Sequence, residues 1–203
     1  MVHNDPFYGD GAKTGVSFVE GFHPYQEFRK AGIDDDHSIG PGFLQGDDRK
    51  VFENADSDFM KAVQHVKKAV DVSAADYDLI FASDSHGTVL DFPHALGLQG
   101  LMRTLWEQGK VVASVCHGLS IFENLRVLSD DYLIKGLKAA IGLTDLLEKN
   151  IKRPQTVAAE CGATFAHPKG PWDCYCLQDG KLVTGVNPQS SACASRKAIA
   201  LFG

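Results

Sequence analysis

The chain has 203 residues, 44% of them hydrophobic and 23% charged, the balance of an ordinary globular protein long enough to bury a core. Its 20 Lys and Arg against 26 Asp and Glu leave a net charge of −6, which argues against nucleic acid or an anionic membrane surface as partner. No apolar run approaches the roughly 20 residues that cross a bilayer, and the start MVHNDPFYGDG has neither the basic end nor the apolar stretch of a signal peptide, so residence in the cytoplasm, or the nucleus, is expected.

Without repeats, low-complexity tracts or Pro/Ser-rich linkers, residues 1–203 are expected to form one domain. In chain order, Val16 to Lys30 has a helical rhythm at Val16, Val19, Phe22 and Phe28, interrupted by Pro24. Asp56-Ser57 can cap a helix with apolar positions Phe59, Val63, Val66 and Val70. Asp78 to Ser83 reads as a short buried strand ending in the turn-rich stretch Ser83-Asp84-Ser85-His86-Gly87. A helix is expected from His94 to Gln108, with Leu96, Leu98, Leu101, Leu105 and Trp106 as its apolar positions.

The clearest element is Lys110 to Val115, which is β-branched and nearly continuous in apolarity, as a central parallel strand should be. It runs straight into Cys116-His117-Gly118, with a helix expected through Leu119, Ile121, Phe122 and Leu125. Lys138 to Leu143 looks like another strand, followed by a helix from about Thr144. Asp173 to Leu177 and Lys181 to Val186 are expected as strands joined by an Asp179-Gly180 turn. Asn187-Pro188 then opens a closing helix, with proline where a first turn tolerates it. Alternating strands and helices define an α/β layered sheet.

In such a sheet ligands sit outside the carboxyl ends of the strands, where the loops 83–87 and 116–118 fall. A cysteine in a strand-to-helix turn projects its sulfur outward, and the positive amino end of the helix favours a thiolate there. His117 supplies an acid or base next door. A third group could come from Asp145 or Glu148, which share a helical face, with capping or plain solvation as the alternative reading. Glu20 lies in the apolar stretch Val16-Ser-Phe-Val-Glu20-Gly-Phe, where burial would keep its carboxyl protonated and able to hydrogen-bond a thiolate. The other cysteines, at 161, 174, 176 and 193, bring the total to an odd five and do not look like a disulfide framework; small core or surface thiols are expected.

Several segments together carry a family resemblance: Phe7 to Phe28 (FYGDGAKTGVSFVEGFHPYQEF), Ala75 to Ser83 (ADYDLIFAS), His86-Gly87-Thr88, Val111 to Gly118 (VVASVCHG), Gly170 to Tyr175 (GPWDCY) and Leu182 to Pro188 (LVTGVNP). They resemble the ThiJ/PfpI superfamily, and within it the fungal heat-shock-protein branch of glutathione-independent glyoxalases. The resemblance implies a flavodoxin-like sandwich with a mostly parallel central sheet. It places the nucleophile at Cys116, the adjacent histidine at His117, the acidic third member at Glu148 (with Asp145 next) and the helix glutamate that contacts the nucleophile at Glu20. Ser85, His86 and Gly87 fall on the substrate-binding loop that faces it. Similar proteins convert methylglyoxal to lactate without a cofactor, many are described as stress-induced holdases that hold misfolded clients, and they typically form homodimers.

Three departures from that family bear on the fold and the site. Only Met1 to Pro6 precede Phe7, where an apolar first strand is usual, and Ile33-DDDHSIGPG follows Gly32 without a second strand. The usual first and second strands are thus expected to be missing. The loop reads Ser83-Asp84-Ser85-His86-Gly87 where relatives commonly have Ser-Ala-Gly-His-Gly. Competing readings of the same residues are a non-catalytic holdase or cysteine-oxidation sensor, a cysteine amidase or peptidase, and a metal site at Glu20, His86, Asp91 and His117. The last lacks any HExxH or paired CxxC pattern, so no metal is expected.

Overall fold

The computed structural model describes residues 46–83, 87–142 and 152–202. The helices expected over Val16–Lys30 and from Thr144 lie outside them. Helix α1 (Gly46–Glu53) leads into α2 (Asp58–Gln64), whose first turn is capped as expected: the Ser57 hydroxyl accepts from the Met60 N–H at 3.3 Å. Of the expected apolar positions only Phe59 is buried. The helix ends at Gln64, so Val66 and Val70 fall beyond it and are exposed, Val70 at 76%.

Strand β1 (Leu79–Ala82) is followed by the short helix α3 (Thr88–Asp91) and by α4 (Leu96–Glu107), and β2 (Val111–Val115) comes next. β2 is buried at all five residues and pairs in parallel with β1 on one side and with β6 (Leu182–Gly185) on the other. That burial on both faces is the physical reason for its unbroken apolar sequence. β5 (Cys176–Asp179) pairs antiparallel with β6 and gives the order β1-β2-β6-β5. Gly180-Lys181 form the turn between them, one residue later than the expected Asp179-Gly180, because Asp179 still pairs with Leu182; the strand expected over Asp173 to Leu177 begins only at Cys176. No strand precedes β1 among the described residues.

Alternation along β2 sorts its side chains to two cores. Val112, with Leu182, packs against Met102 of α4, Leu119, Ile121 and Phe122 after the strand, and Val157 of α5 (Pro154–Glu160). Val111, Ala113 and Val115, with Phe81 and Val183, pack against Ala194 and Ala198 of α6 (Ser191–Ile199). The result is helices on both faces of a mostly parallel sheet, the expected α/β sandwich. Full burial of each such valine or leucine contributes about 1.5–3 kcal/mol.

A second, two-stranded parallel sheet joins β3 (Lys138–Ala140) to β4 (Thr164–Ala166). Side chains stitch it to the main sheet: the Ala140 N–H donates to Thr184 Oγ1 at 2.6 Å and the Lys138 N–H to Asp179 Oδ2 at 2.8 Å. Beyond β3, the backbone of Gly142 runs so close to the end of β6 that a Cβ there would lie 2.3 Å from the Val186 carbonyl oxygen. No described helix is long and apolar enough to cross a membrane.

The cysteines overturn one expectation. Cys176 of β5 and Cys193 of α6 form a disulfide, whereas Cys116, Cys161 and Cys174 are free. The two partners are 17 residues apart and meet only because α6 packs back over the sheet, a tertiary fact that spacing does not carry.

Candidate active site

β2 ends at Val115 in extended conformation, and the next residue turns sharply: Cys116 has φ of 54°. Cys116 and Asp130 are the two non-glycine residues with positive φ among those described. The left-handed region costs a side chain about 1–3 kcal/mol, and such strain concentrates where function requires it. The turn leaves Cys116 half-buried at the carboxyl end of the central strand. From Cys116 to Glu123 the chain winds as a 3₁₀ helix rather than the α-helix expected, with its amino end at the sulfur-bearing residue.

His117 is buried at 3% exposure, and its Nδ1 lies 3.4 Å from Cys116 Sγ, within hydrogen-bond reach for sulfur. Adjacent residues rarely bring their side chains together, and here the strained turn does it. Gly118 explains how the turn is seated. A Cβ at that position would lie 2.4 Å from the Ala82 carbonyl oxygen and 3.3 Å from that of Ser83, so the backbone after Cys116 rests directly on the end of β1. Ser120 adds a second fastening, its hydroxyl within 2.7 Å of the His117 carbonyl and 3.1 Å of the Thr88 carbonyl. Gly87, buried at the start of α3, is thereby held on the same side as the cysteine turn. The structure thus brings together Cys116, His117, Gly118 and both ends of the 83–87 loop. Glu20, Asp84, Ser85, His86, Asp145 and Glu148 lie outside the described residues.

The chain that carries Asp145 and Glu148 is anchored at both described ends. Gly142 abuts the end of β6, and Lys152 Nζ lies 2.9 Å from Glu123 Oε1 and 2.8 Å from Glu160 Oε2. Hydrogen bonds to Glu160 and then Glu123 hold the Lys152 ammonium well above its ordinary range. The sequence reading missed this clamp, and it missed Asn187. That buried amide donates to the Pro171 and Asp173 carbonyls and accepts from the Ser190 N–H and hydroxyl. The cap of the closing helix was legible at Asn187-Pro188; the cross-link to residues 171–173 was not.

The free thiols differ in kind. Cys161 is 2% exposed, 3.4 Å from the Phe122 carbonyl oxygen, and burial, with the nearby Glu123 and Glu160 carboxylates, pushes its thiol up from 9.0 to about 11. It stays protonated at neutral pH and is a poor nucleophile. Because the unfolded chain loses this proton first, the neutral buried thiol contributes stability that is complete below about pH 9 and is lost as pH rises towards 11, up to about 2–3 kcal/mol. Urea midpoints of wild type are expected to fall more steeply between those pH values than midpoints of Cys161→Ala. Parallel curves would show that Cys161 carries no such linkage.

A groove of about 510 Å³ is lined by residues including Leu96, Arg103, Arg126 and Leu128, and it contains neither Cys116 nor His117. Among the described residues no group of three or more His, Cys, Asp or Glu is placed to hold a metal ion.

These features define a class: a layered α/β protein with a cysteine elbow at the carboxyl end of its central parallel strand. No family model matches the chain. Individual proteins do. It is 42% identical to glyoxalase 3 of Candida albicans over 98% of its own length and 94% of that protein's. It is also 42% identical to the glutathione-independent glyoxalase HSP31 of Saccharomyces cerevisiae, over 93% and 90% of the two lengths. The crystal structure of glyoxalase III from Candida albicans matches with a TM-score of 0.89, covering 98% of this chain and 93% of that one. A ThiJ/PfpI domain protein from Brachyspira murdochii shares the fold at a TM-score of 0.64 and 14% identity, over 92% and 90% of the chains. The chain belongs to the fungal family of glutathione-independent, HSP31-like glyoxalases. The aligned span of 223 positions with the Candida albicans relative exceeds the 203 residues here, so that relative carries residues with no counterpart in this chain.

Proposed function

We propose that the chain converts methylglyoxal to lactate without glutathione, with Cys116 as nucleophile. The observation that carries the reading is the Cys116 elbow with its sulfur 3.4 Å from the buried His117 imidazole, in a chain 42% identical to glyoxalases. Thiolate addition to the aldehyde carbon gives a hemithioacetal. His117 takes the proton from that carbon and returns it to the neighbouring one through an enediol, which leaves a lactoyl thioester on Cys116. Water then cleaves the thioester, releasing lactate and the thiolate. Overall one water is added, and the former aldehyde carbon becomes the carboxylate while its neighbour is reduced, so no external oxidant is needed.

In this reading Glu148, or Asp145, orients His117, Glu20 hydrogen-bonds the sulfur, and backbone N–H groups of the Ser85-His86-Gly87 loop steady the oxyanion. Asp84 brings a negative charge to that loop and Ser85 restricts its backbone angles, so turnover is expected to be slow for the family. The reading also takes residues 1–203 as one domain, working as a cytoplasmic or nuclear homodimer that holds misfolded clients. Light scattering of the purified protein and suppression of client aggregation report on the last two parts.

The test is methylglyoxal loss and lactate appearance with purified protein in glutathione-free buffer. Lactate formation supports the proposal; a chain that consumes no methylglyoxal at stoichiometric concentration overturns it. His117→Ala is expected to lower kcat by about 10²–10⁴-fold while the sulfur still adds to the aldehyde. Unchanged kcat in that variant would remove His117 from the mechanism.

A further inference from the structure

We propose that Cys174, Cys176 and Cys193 form a thiol–disulfide exchange site for small or protein dithiols, and that its state locks or releases the chain bordering Cys116. The disulfide ties the edge strand β5 to α6 across Cα atoms 6.4 Å apart. Both partners are only half-buried, so a reductant's thiolate can reach the bond, and exposed disulfides are the labile ones. Cys174 is a free, exposed thiol two residues from Cys176. The Val186 N–H donates to the Tyr175 carbonyl, which prolongs the β5–β6 pairing towards Cys174, and side chains two apart on extended chain emerge on one side.

What the disulfide encloses gives it a consequence. The ring from 176 to 193 contains all of β6 and the turn 186–190. Gly185 of β6 pairs with Cys176 on one side and with Val115, the residue before the elbow, on the other. Cys176 and Cys116 flank the same apolar cluster of Val115, Val183 and Ala194. The Asn187 clamp and the hydrogen bond from the Tyr175 N–H to Ser190 Oγ hold this region independently of the sulfur link. Opening the bond therefore loosens residues 171–175 and 186–193 without dismantling the sheet.

For opening, a dithiol's thiolate attacks Cys193 Sγ, Cys176 leaves as thiolate, and the second thiol of the reductant displaces Cys193. Two electrons pass to the protein, each cysteine gains a proton, and the reductant leaves as a disulfide. For closing, exposed Cys174 attacks a small oxidised disulfide and expels one thiolate. Cys176 takes over the remaining thiol group, and Cys193 then attacks Cys176 Sγ and expels it. The sum is two protein thiols and one small disulfide giving one protein disulfide and two small thiols.

The experiment uses the full chain, alkylated under denaturing, non-reducing conditions and digested with trypsin, with dithiothreitol as reductant and oxidised glutathione as oxidant. The expected result is peptide Gly170–Lys181 linked to Leu182–Arg196 before reduction and both alkylated after it. Reduction is expected to lower Tm by roughly 6–12 °C with an unchanged far-ultraviolet spectrum, and to speed amide exchange at 171–175 and 186–193. Cys193→Ser should match reduced wild type with or without dithiothreitol, and Cys174→Ser should keep the wild-type Tm but re-form the link several-fold more slowly. An absent linked peptide, or a Tm indifferent to dithiothreitol, overturns the proposal, and re-formation at the wild-type rate in Cys174→Ser overturns the entry role of Cys174. Since the wild-type arm stands alone, a Cys193→Ser chain that fails to fold does not remove the test. None of these readouts is turnover, so the outcome is separable from the glyoxalase reading.

Discussion

Cys116→Ala is expected to reduce glutathione-free methylglyoxal turnover by at least about 10³-fold while melting within a few degrees of wild type. Both halves follow from the elbow. Alanine keeps the Cβ and so the φ of 54°, and it keeps the seating on β1 that Gly118 provides. It removes only a half-buried sulfur that lies 3.4 Å from His117 Nδ1. Of the other thiols, Cys161 is held protonated by burial and Cys176 is tied to Cys193, which leaves exposed Cys174 as the one thiol that could stand in. Rates and thermal melts on the same preparations check this. Turnover above a tenth of wild type would mean that another group forms the bond to substrate.

Gly118→Ala is expected to cost about 3 kcal/mol or more and to lower Tm by roughly 6–12 °C. The added methyl would sit 2.4 Å from the Ala82 carbonyl oxygen, a backbone atom at the end of the paired strand β1. Neither side can yield cheaply: moving Ala82 disturbs its register with Ser114, and moving residue 118 displaces the cysteine two positions before it. The same substitution is therefore expected to reduce kcat in whatever protein still folds. Failure to accumulate as soluble protein agrees with the expectation; a melt within about a degree of wild type would contradict the close approach.

Where the chain was legible, one local cause set the outcome. Val111 to Val115 reads as a central strand because both faces are buried, and Ser57 reads as a cap because its hydroxyl accepts from the Met60 N–H in the first turn. The cysteine after that strand reads as an elbow for the same reason. Where legibility failed, a distant partner decided. The inner face of α4 is Gln99, Met102 and Leu105, whereas Leu96 is 77% exposed. Gln99 goes inside because its amide donates to the Phe92, Pro93 and Ile121 carbonyls, and no hydrophobic pattern registers that. β4 is three residues of Thr-Phe-Ala with little burial and no alternation, so only its pairing with β3 marks it. The Cys176–Cys193 link and the Asn187 clamp likewise join segments that approach only after the sheet has formed. For the site, the Cys116–His117 pair was readable as neighbours in sequence, but the φ of 54° that turns the sulfur to the ring was not.

Peptide mapping of the protein quenched during turnover tests the role of Cys116 most directly. Wild-type chain mixed with excess methylglyoxal in glutathione-free buffer and stopped in acid is predicted to carry one methylglyoxal-equivalent mass on the tryptic peptide Val111–Arg126, located at Cys116. That adduct should rise before lactate accumulates and disappear as substrate runs out. Lactate formed at the same rate with no adduct on Cys116 at any time would contradict the account.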